Sequence, residues 1–279
     1  MKKKVMIIAI LAVYASVLAT AKAPSDDQNR KQTESTNTYV LIVSGINKEP
    51  HERQAKDKTV IKLRRFFLKN AKVEPNRLRV LVDKSSSARE GAGASTAENL
   101  KKAMRAVAAS IRPTDRFIFY YVGQANIVAD KLRLNLPGKD ITHEQLAEWI
   151  KEIKASSMLT VLDCPGAGLS VKALTGPRRI VICGAKREQP YSTRFSEYFL
   201  PSLADDAADT NGDGKVSLLE AFTLTSKKLD DLYRGQNLLK TETPVLEDNG
   251  DGVPSHQPWR YKQDKKDGLA ASMFFLSAK

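Results

Sequence analysis

Residues 142–168, "THEQLAEWIKEIKASSMLTVLDCPGAG", contain the pattern on which the fold turns. The first half reads as a helix over 142–154 capped by Thr142. The second half, "MLTVLD", is an apolar strand-like run that ends at Asp163. A helix followed at once by such a strand is the repeating unit of a parallel α/β sheet. The strand then ends at Asp163 in a turn of cysteine, proline and glycine. A sharp small-residue turn after a strand is a common mount for a catalytic nucleophile, so the role of Cys164 decides the function.

The same alternation continues on both sides of this stretch. Toward the N-terminus lie an apolar strand "TYVLIVSGI", a helix "ERQAKDKTVIKLRRFFLKN", a strand "RLRVLVD" and a helix "TAENLKKAMRAVAASI" capped by Ser95 or Thr96. The strand "DRFIFYYVG" and a shorter run "KLRLNLPG" follow. Beyond residue 168 come the strand "RRIVICGA" and the helices "STRFSEYFLPSL" and "SLLEAFTLTSKKLDDLYR". The predicted class is α/β, a three-layer sandwich with a mostly parallel central sheet and helices on both faces. In such sheets the functional groups gather beyond the carboxyl ends of the strands. That singles out "YYVGQAN" and "LDCPGAG".

The chain has 279 residues, 42% hydrophobic and 28% charged, enough for one large domain or two small ones. Its first 23 residues have the three parts of an export signal: basic "MKKK", apolar "VMIIAILAVYASVLA" and small-residue "ATAKA". The apolar run is shorter than the ~20 residues of a spanning helix. The expected product is periplasmic or secreted, and not an integral membrane protein once the signal is cut. The formal charge is +13, and loss of the four lysines of residues 1–23 lowers it to +9. The cations are scattered, with no basic stripe interleaved with aromatics, so nucleic acid is not an expected partner. Residues 24–37, "PSDDQNRKQTESTN", read as a polar linker. The two cysteines, Cys164 and Cys183, end neighbouring strand-like runs. An exported chain can pair them, but adjacent strands make awkward disulfide geometry, and two buried free thiols are the favoured reading.

The strand ends at 123–125 and 163–168, taken with "YVLIVSGI", "LNLPGKDIT", "RRIVICGAKREQPYSTRFSEYFLPSL", "ADTNGDGKVSLLEAF" and "TETPVLEDNGDG", give the chain a resemblance. Over roughly residues 38–252 it resembles the caspase-like and legumain-like cysteine peptidases, especially their bacterial secreted relatives. The resemblance implies a caspase-like domain over 38–252 and a C-terminal extension over 253–279. In that family the third strand ends in His-Gly and the fourth in Asp/Glu-x-Cys-x-Ser-Gly. Placed on this pattern, Gln124 stands at the position of the general base. Asp163 aligns with the acid, Pro165 with the nucleophile, Ala167 with the serine and Gly168 with the last glycine. Cys164 falls one residue early.

That offset has physical weight, because successive side chains of a strand point to opposite faces. A thiol moved by one residue is expected to turn away from the cleft. A glutamine amide holds a carbonyl or a water, but it does not accept a proton near neutral pH. The three histidines are His51 in a polar turn, His143 in the first turn of a helix and facing solvent, and His256; none is expected to replace the base. The reading is an exported caspase-like pseudo-peptidase that binds, scaffolds or regulates an unidentified protein or peptide. The alternative is a cysteine endopeptidase with a rearranged site built on Cys164. A third reading is a hydrolase using Gln124, Asn126, Asp163 or Ser170.

One constellation is intact. "DTNGDGKVSLLE", residues 209–220, has the spacing of a twelve-residue EF-hand calcium loop. Side-chain oxygens fall at Asp209, Asn211 and Asp213, and Gly214 sits at the sharp turn. Lys215 offers its carbonyl, Val216 pins the loop to the core, Ser217 ligates directly or through water, and Glu220 supplies a bidentate carboxylate. Ca2+ is the expected ion. The same "SLLE" is also a capping box, with Ser217 as cap and Glu220 reaching back. A second stretch, "LEDNGDG", matches the loop at Glu247, Asn249, Asp251 and Gly252, but its twelfth position is Pro258, which offers no side-chain ligand.

Overall fold

The structure, a computed structural model, describes residues 36–47, 49–261 and 266–277. The expected export signal at 1–23 lies outside the described residues, as does the linker up to residue 35. The strands are β1 (Thr38–Ser44), β2 (Leu78–Val82), β3 (Gly93–Ala94), β4 (Arg116–Val122), β5 (Ala125–Val128), β6 (Lys131–Leu134), β7 (Ile141–Thr142), β8 (Ser157–Asp163), β9 (Arg179–Cys183) and β10 (Val245–Glu247). The helices are α1 (Pro50–Lys69), α2 (Ala97–Ser110), α3 (His143–Lys151), α4 (Val171–Leu174), α5 (Phe195–Ser202), α6 (Leu218–Gly235) and α7 (Leu269–Ser272).

Seven strands form one sheet in the order β10-β9-β8-β4-β1-β2-β3, parallel except for β10 against β9. The doubly apolar strands explain the layers. In β4, Ile118, Tyr120 and Val122 point into one hydrophobic cluster, shared with α1, α5 and α6. Phe117, Phe119 and Tyr121 point into the other, shared with α2, α3 and α4. The result is the three-layer α/β sandwich read from the sequence. The run at 131–138 does not join this sheet. It forms β6 of a separate antiparallel sheet, β5-β6-β7, packed beyond the end of β4.

The helix ends follow side-chain chemistry. Thr96, not Ser95, caps α2, accepting the N–H of Asn99 at 3.2 Å. Thr142 and Gln145 form a reciprocal capping box on α3, and Ser217 and Glu220 form one on α6. The C-terminal segment is part of the same core. Ala271, Phe274 and Leu276 are buried against the α1/α5/α6 side, and Phe275 makes a β-bridge with Ser217. Among the described residues no helix is long and apolar enough to cross a membrane.

Candidate functional site

The chain leaves β1 toward β2 on one side, and from β4 onward builds toward β10 on the other. The strand order therefore reverses between β1 and β4, where a crevice opens beyond their carboxyl ends. Two glycines shape it. A side chain on Gly45 would run into the Tyr121 hydroxyl, and one on Gly123 would lie 2.8 Å from the Gly45 Cα. The backbones thus approach closely enough for Gly45 N–H to donate to Val122 O at 2.9 Å. Above them lies a cleft of about 630 Å³, with Glu49, Glu52 and Asp140 on its wall beside Gln124, Asn126 and Asn135. On a chain of formal charge +13, no lysine or arginine among the described residues lines this cleft.

Gln124 sits at the centre. Its Nε2 donates to Glu52 Oε2 at 2.8 Å and to Ser192 Oγ at 2.7 Å, and Ser192 Oγ donates to Glu52 Oε1 at 2.5 Å. The amide is thereby held in place by a carboxylate from α1 and a hydroxyl from the loop before α5. Glu52 and Ser192 were not legible as site residues. The only trace of Glu52 in the sequence is its place in the first turn of α1, four residues before a lysine on the helix's buried face.

At the end of β8, neighbouring side chains part company. Cys164 is fully buried and packs with Leu162 in the α2/α3/α4 cluster. Burial, and then the neighbouring Cys183 and Asp163, push its thiol well above the ordinary range. Pro165 is buried too. The turn beyond is tied down by Gly166 N–H to Gln189 O at 2.8 Å and Gly168 N–H to Ala185 O at 2.9 Å. Gly166 has φ +63°, a conformation suited to glycine. Cys183 is likewise fully buried, its thiol pushed up to about 12 by burial. Both cysteines are free. Ser170 lies beside Cys183 and donates to Ala167 O at 2.7 Å, so its hydroxyl faces the interior.

Asp163 turns the other way, into a buried polar cluster. Its Oδ2 accepts the Ser196 N–H at 3.1 Å and lies 3.7 Å from Lys56 Nζ. Lys56 also donates to Thr193 O at 2.5 Å. Glu242, fully buried, accepts the Arg194 N–H and the Tyr233 hydroxyl. Burial first, and then the charge of Asp163, raise its carboxyl to about 7. Among the described residues Asp163 Oδ1 and Thr193 Oγ1 have no hydrogen-bond partner. Lys56, Thr193 and Glu242 escaped the sequence reading. The trace of Lys56 is a charge on the apolar face of α1, in register with Val60, Leu63 and Phe67.

The expected solvent-facing position of His143 is corrected. Its ring is buried, and Nδ1 accepts the Leu132 N–H at 3.2 Å, which ties α3 to β6. Burial lowers its pKa, the direction that favours the neutral ring this accepted hydrogen bond requires. His51 and His256 are exposed. Among the described residues no histidine hydrogen-bonds either thiol.

The two acidic loops share one wiring. In the first, Asp209 accepts N–H groups of Gly212 and Gly214, both at 2.8 Å; Asn211 Oδ1 accepts from Asp213 N, and Asp213 Oδ1 from Lys215 N. In the second, Glu247 accepts from Gly250 at 2.6 Å and Gly252 at 3.5 Å; Asn249 Oδ1 accepts from Asp251 N, and Asp251 Oδ1 from Val253 N. The loops differ at the closing carboxylate. Glu220 directs Oε1 at the N–H groups of Thr210 and Asn211 and Oε2 at the N–H and hydroxyl of Ser217. The second loop lacks a local twelfth ligand, but Asp267 arrives from the C-terminal segment. Carboxylate oxygens of Glu247, Asp251 and Asp267 lie within 4.8 Å of one another. Burial raises Asp267 to about 6. The ammonium of Lys215 lies over the Phe275 ring, 5.7 Å from its centroid.

No protein-family model matches the chain, and no curated protein matches it.

Proposed function

We propose that the protein is an exported caspase-like pseudo-peptidase, a binding or scaffolding domain whose strand-end cleft holds peptide without cleaving it. The family assignment rests on the order and spacing of the strand-end motifs. The observation that carries the lack of catalysis is the parting of side chains at β8. The thiol of Cys164 is sealed in the core on the α2/α3/α4 side, while the position of the base holds an amide engaged by Glu52 and Ser192. Thiol attack needs a thiolate and a proton acceptor beside it, and a raised thiol pKa with no histidine in reach opposes both. The carboxylates and amides of the cleft suit main-chain amides and ammonium groups of an extended peptide.

The test is native thiol labelling with a peptidyl electrophile, alongside turnover of a peptide library, for the wild type and Cys164→Ala. Neither cysteine is expected to react until the protein is unfolded, and no peptide is expected to be cut. Labelling of the folded wild type at Cys164, with turnover lost in Cys164→Ala, favours the rearranged peptidase instead.

Calcium is part of the same proposal. The oxygens of Asp209, Asn211, Asp213 and Glu220, with the Lys215 carbonyl and Ser217, suit a hard cation. In this structure the two oxygens of Glu220 serve N–H and hydroxyl groups, so capping and ligation compete for the same side chain. An exported loop of this charge is expected to bind with Kd on the order of 10⁻⁴ M. At ~1 mM calcium that adds about 1.4 kcal/mol of stability, or a rise in Tm of roughly 3–5 °C. Magnesium is expected to do less, because it keeps its waters and a tighter shell. Thermal melts with calcium, magnesium and chelator, repeated for Asp209→Ala and Glu220→Gln, check this. A melting temperature indifferent to millimolar calcium supports the capped turn alone.

A further inference from the structure

The outer edge of the sheet is incomplete. β3 pairs with β2 only at Leu81 and Val82, so Leu78, Arg79 and Val80 have no strand across from them. Val82 O, which accepts the Ser95 N–H at 2.9 Å, shows which backbone groups of β2 face outward. With the two-residue alternation of a strand, those of Val80 and Leu78 face the same way. The Leu78 N–H is taken by Pro75 O. The Val80 N–H and the Leu78 carbonyl are left toward a groove of about 510 Å³ between α1 and α2. Gly91 and Gly93 form its lip, without side chains to fill it, and Leu68 and Pro75 line its apolar part.

Cations stand on both sides of this groove. Arg64 comes from α1, which covers one face of the sheet. Arg79 pairs in register with Leu41 and so projects from the opposite face, where α2 supplies Lys102 and Asn99. Among the described residues no aspartate or glutamate lines the groove. Arg64 donates to the Glu90 carbonyl at 2.5 Å, and none of the three cations joins an ion pair among the described residues. An open edge flanked by cations is also a known guard against aggregation. That alternative predicts repulsion of other chains without affinity for any.

We infer that this edge is a docking site for an extended acidic segment of a partner protein, added to the sheet beside β2 with consecutive acidic side chains reaching Arg64 on one face and Arg79 and Lys102 on the other. Main-chain hydrogen bonds supply the lane. Neighbouring residues of a strand point to opposite faces, so two or more acidic residues in a row are the feature that matches cations on both sides. Arginine adds the planar fork that suits a carboxylate.

The probe is a fluorescein-labelled octapeptide with four consecutive glutamates between threonine and valine pairs, titrated by anisotropy into the full chain. Saturable binding is expected, lost when the glutamates become glutamines. Arg79→Glu and Lys102→Glu, both exposed positions, are each expected to weaken it about tenfold or more. N-methylation of the central peptide amides is expected to weaken it comparably, because the strand pairing is removed while the charge is kept. Circular dichroism melts of the variants confirm that they fold; the glutamine and N-methylated peptides test the proposal on the unaltered protein. Three results overturn it: no saturable binding, equal binding of the N-methylated peptide, or displacement by a single-stranded oligonucleotide at the same charge concentration. The last two mark a general basic surface.

Discussion

Replacing Lys56 with methionine is expected to destabilise the fold by about 3–5 kcal/mol, since it removes one partner from a buried charge cluster. Lys56 is 5% exposed, Asp163 1% and Glu242 0%. The ammonium touches the Thr193 carbonyl and lies 3.7 Å from Asp163. Methionine keeps the length and the apolar stem, so packing is nearly conserved and the effect isolates the charge. Without the ammonium, the buried carboxyl groups of Asp163 and Glu242 lose the cation that offsets them. Urea unfolding at neutral pH measures the loss. A loss below about 1 kcal/mol, the level of an exposed pair, means that the cluster is hydrated and the cation dispensable.

The second large effect is on pH dependence. The folded pKa of Glu242, about 7, lies above the ordinary value of 4.5. A raised pKa means that folding favours the protonated form. The contribution to stability is complete below the ordinary carboxylate value and is lost as pH rises through about 7. Across that window the wild type is expected to lose about 3 kcal/mol from this group. Glu242→Gln has no proton to lose and keeps an oxygen for the Arg194 N–H. Its stability relative to the wild type is therefore expected to improve steadily from about pH 5 to about pH 8. Parallel denaturation curves for the two proteins at every pH contradict the assignment. In combination, Glu242→Gln is expected to relieve part of the damage of Lys56→Met, because the two residues act through Asp163.

The main layers of this fold were legible because they depend on local pattern. "YVLIV", "FIFYYV" and "MLTVL" are apolar throughout except for Thr160, the pattern expected of a strand covered on both faces. Thr142 announces its helix as an N-cap and Ser217 through a capping box, signals that need only four residues of chain. The parting of Cys164 from Asp163 also follows from a local rule, the two-residue period of a strand. The short strands β3, β5, β7 and β10 escaped because two to four residues carry too little pattern to declare a partner. His143 was misjudged because its position in the first turn of α3 says nothing of β6, whose Leu132 N–H comes to meet it.

The sequence by itself determined the alternation of strands and helices, the amide at residue 124, the thiol next to Asp163 and the spacing of both acidic loops. The tertiary structure alone decided what meets them. Glu52 and Ser192 reach Gln124 from 72 and 68 residues away. Lys56, Asp163 and Glu242 gather from three distant segments, and Asp267 joins Glu247 and Asp251 from beyond the loop they share. The incomplete edge of β2 exists only because β3 stops after two residues. Side-chain periodicity is a property of neighbours along the chain, whereas burial of a charge and closure of a site depend on which remote segments the packing brings to one point.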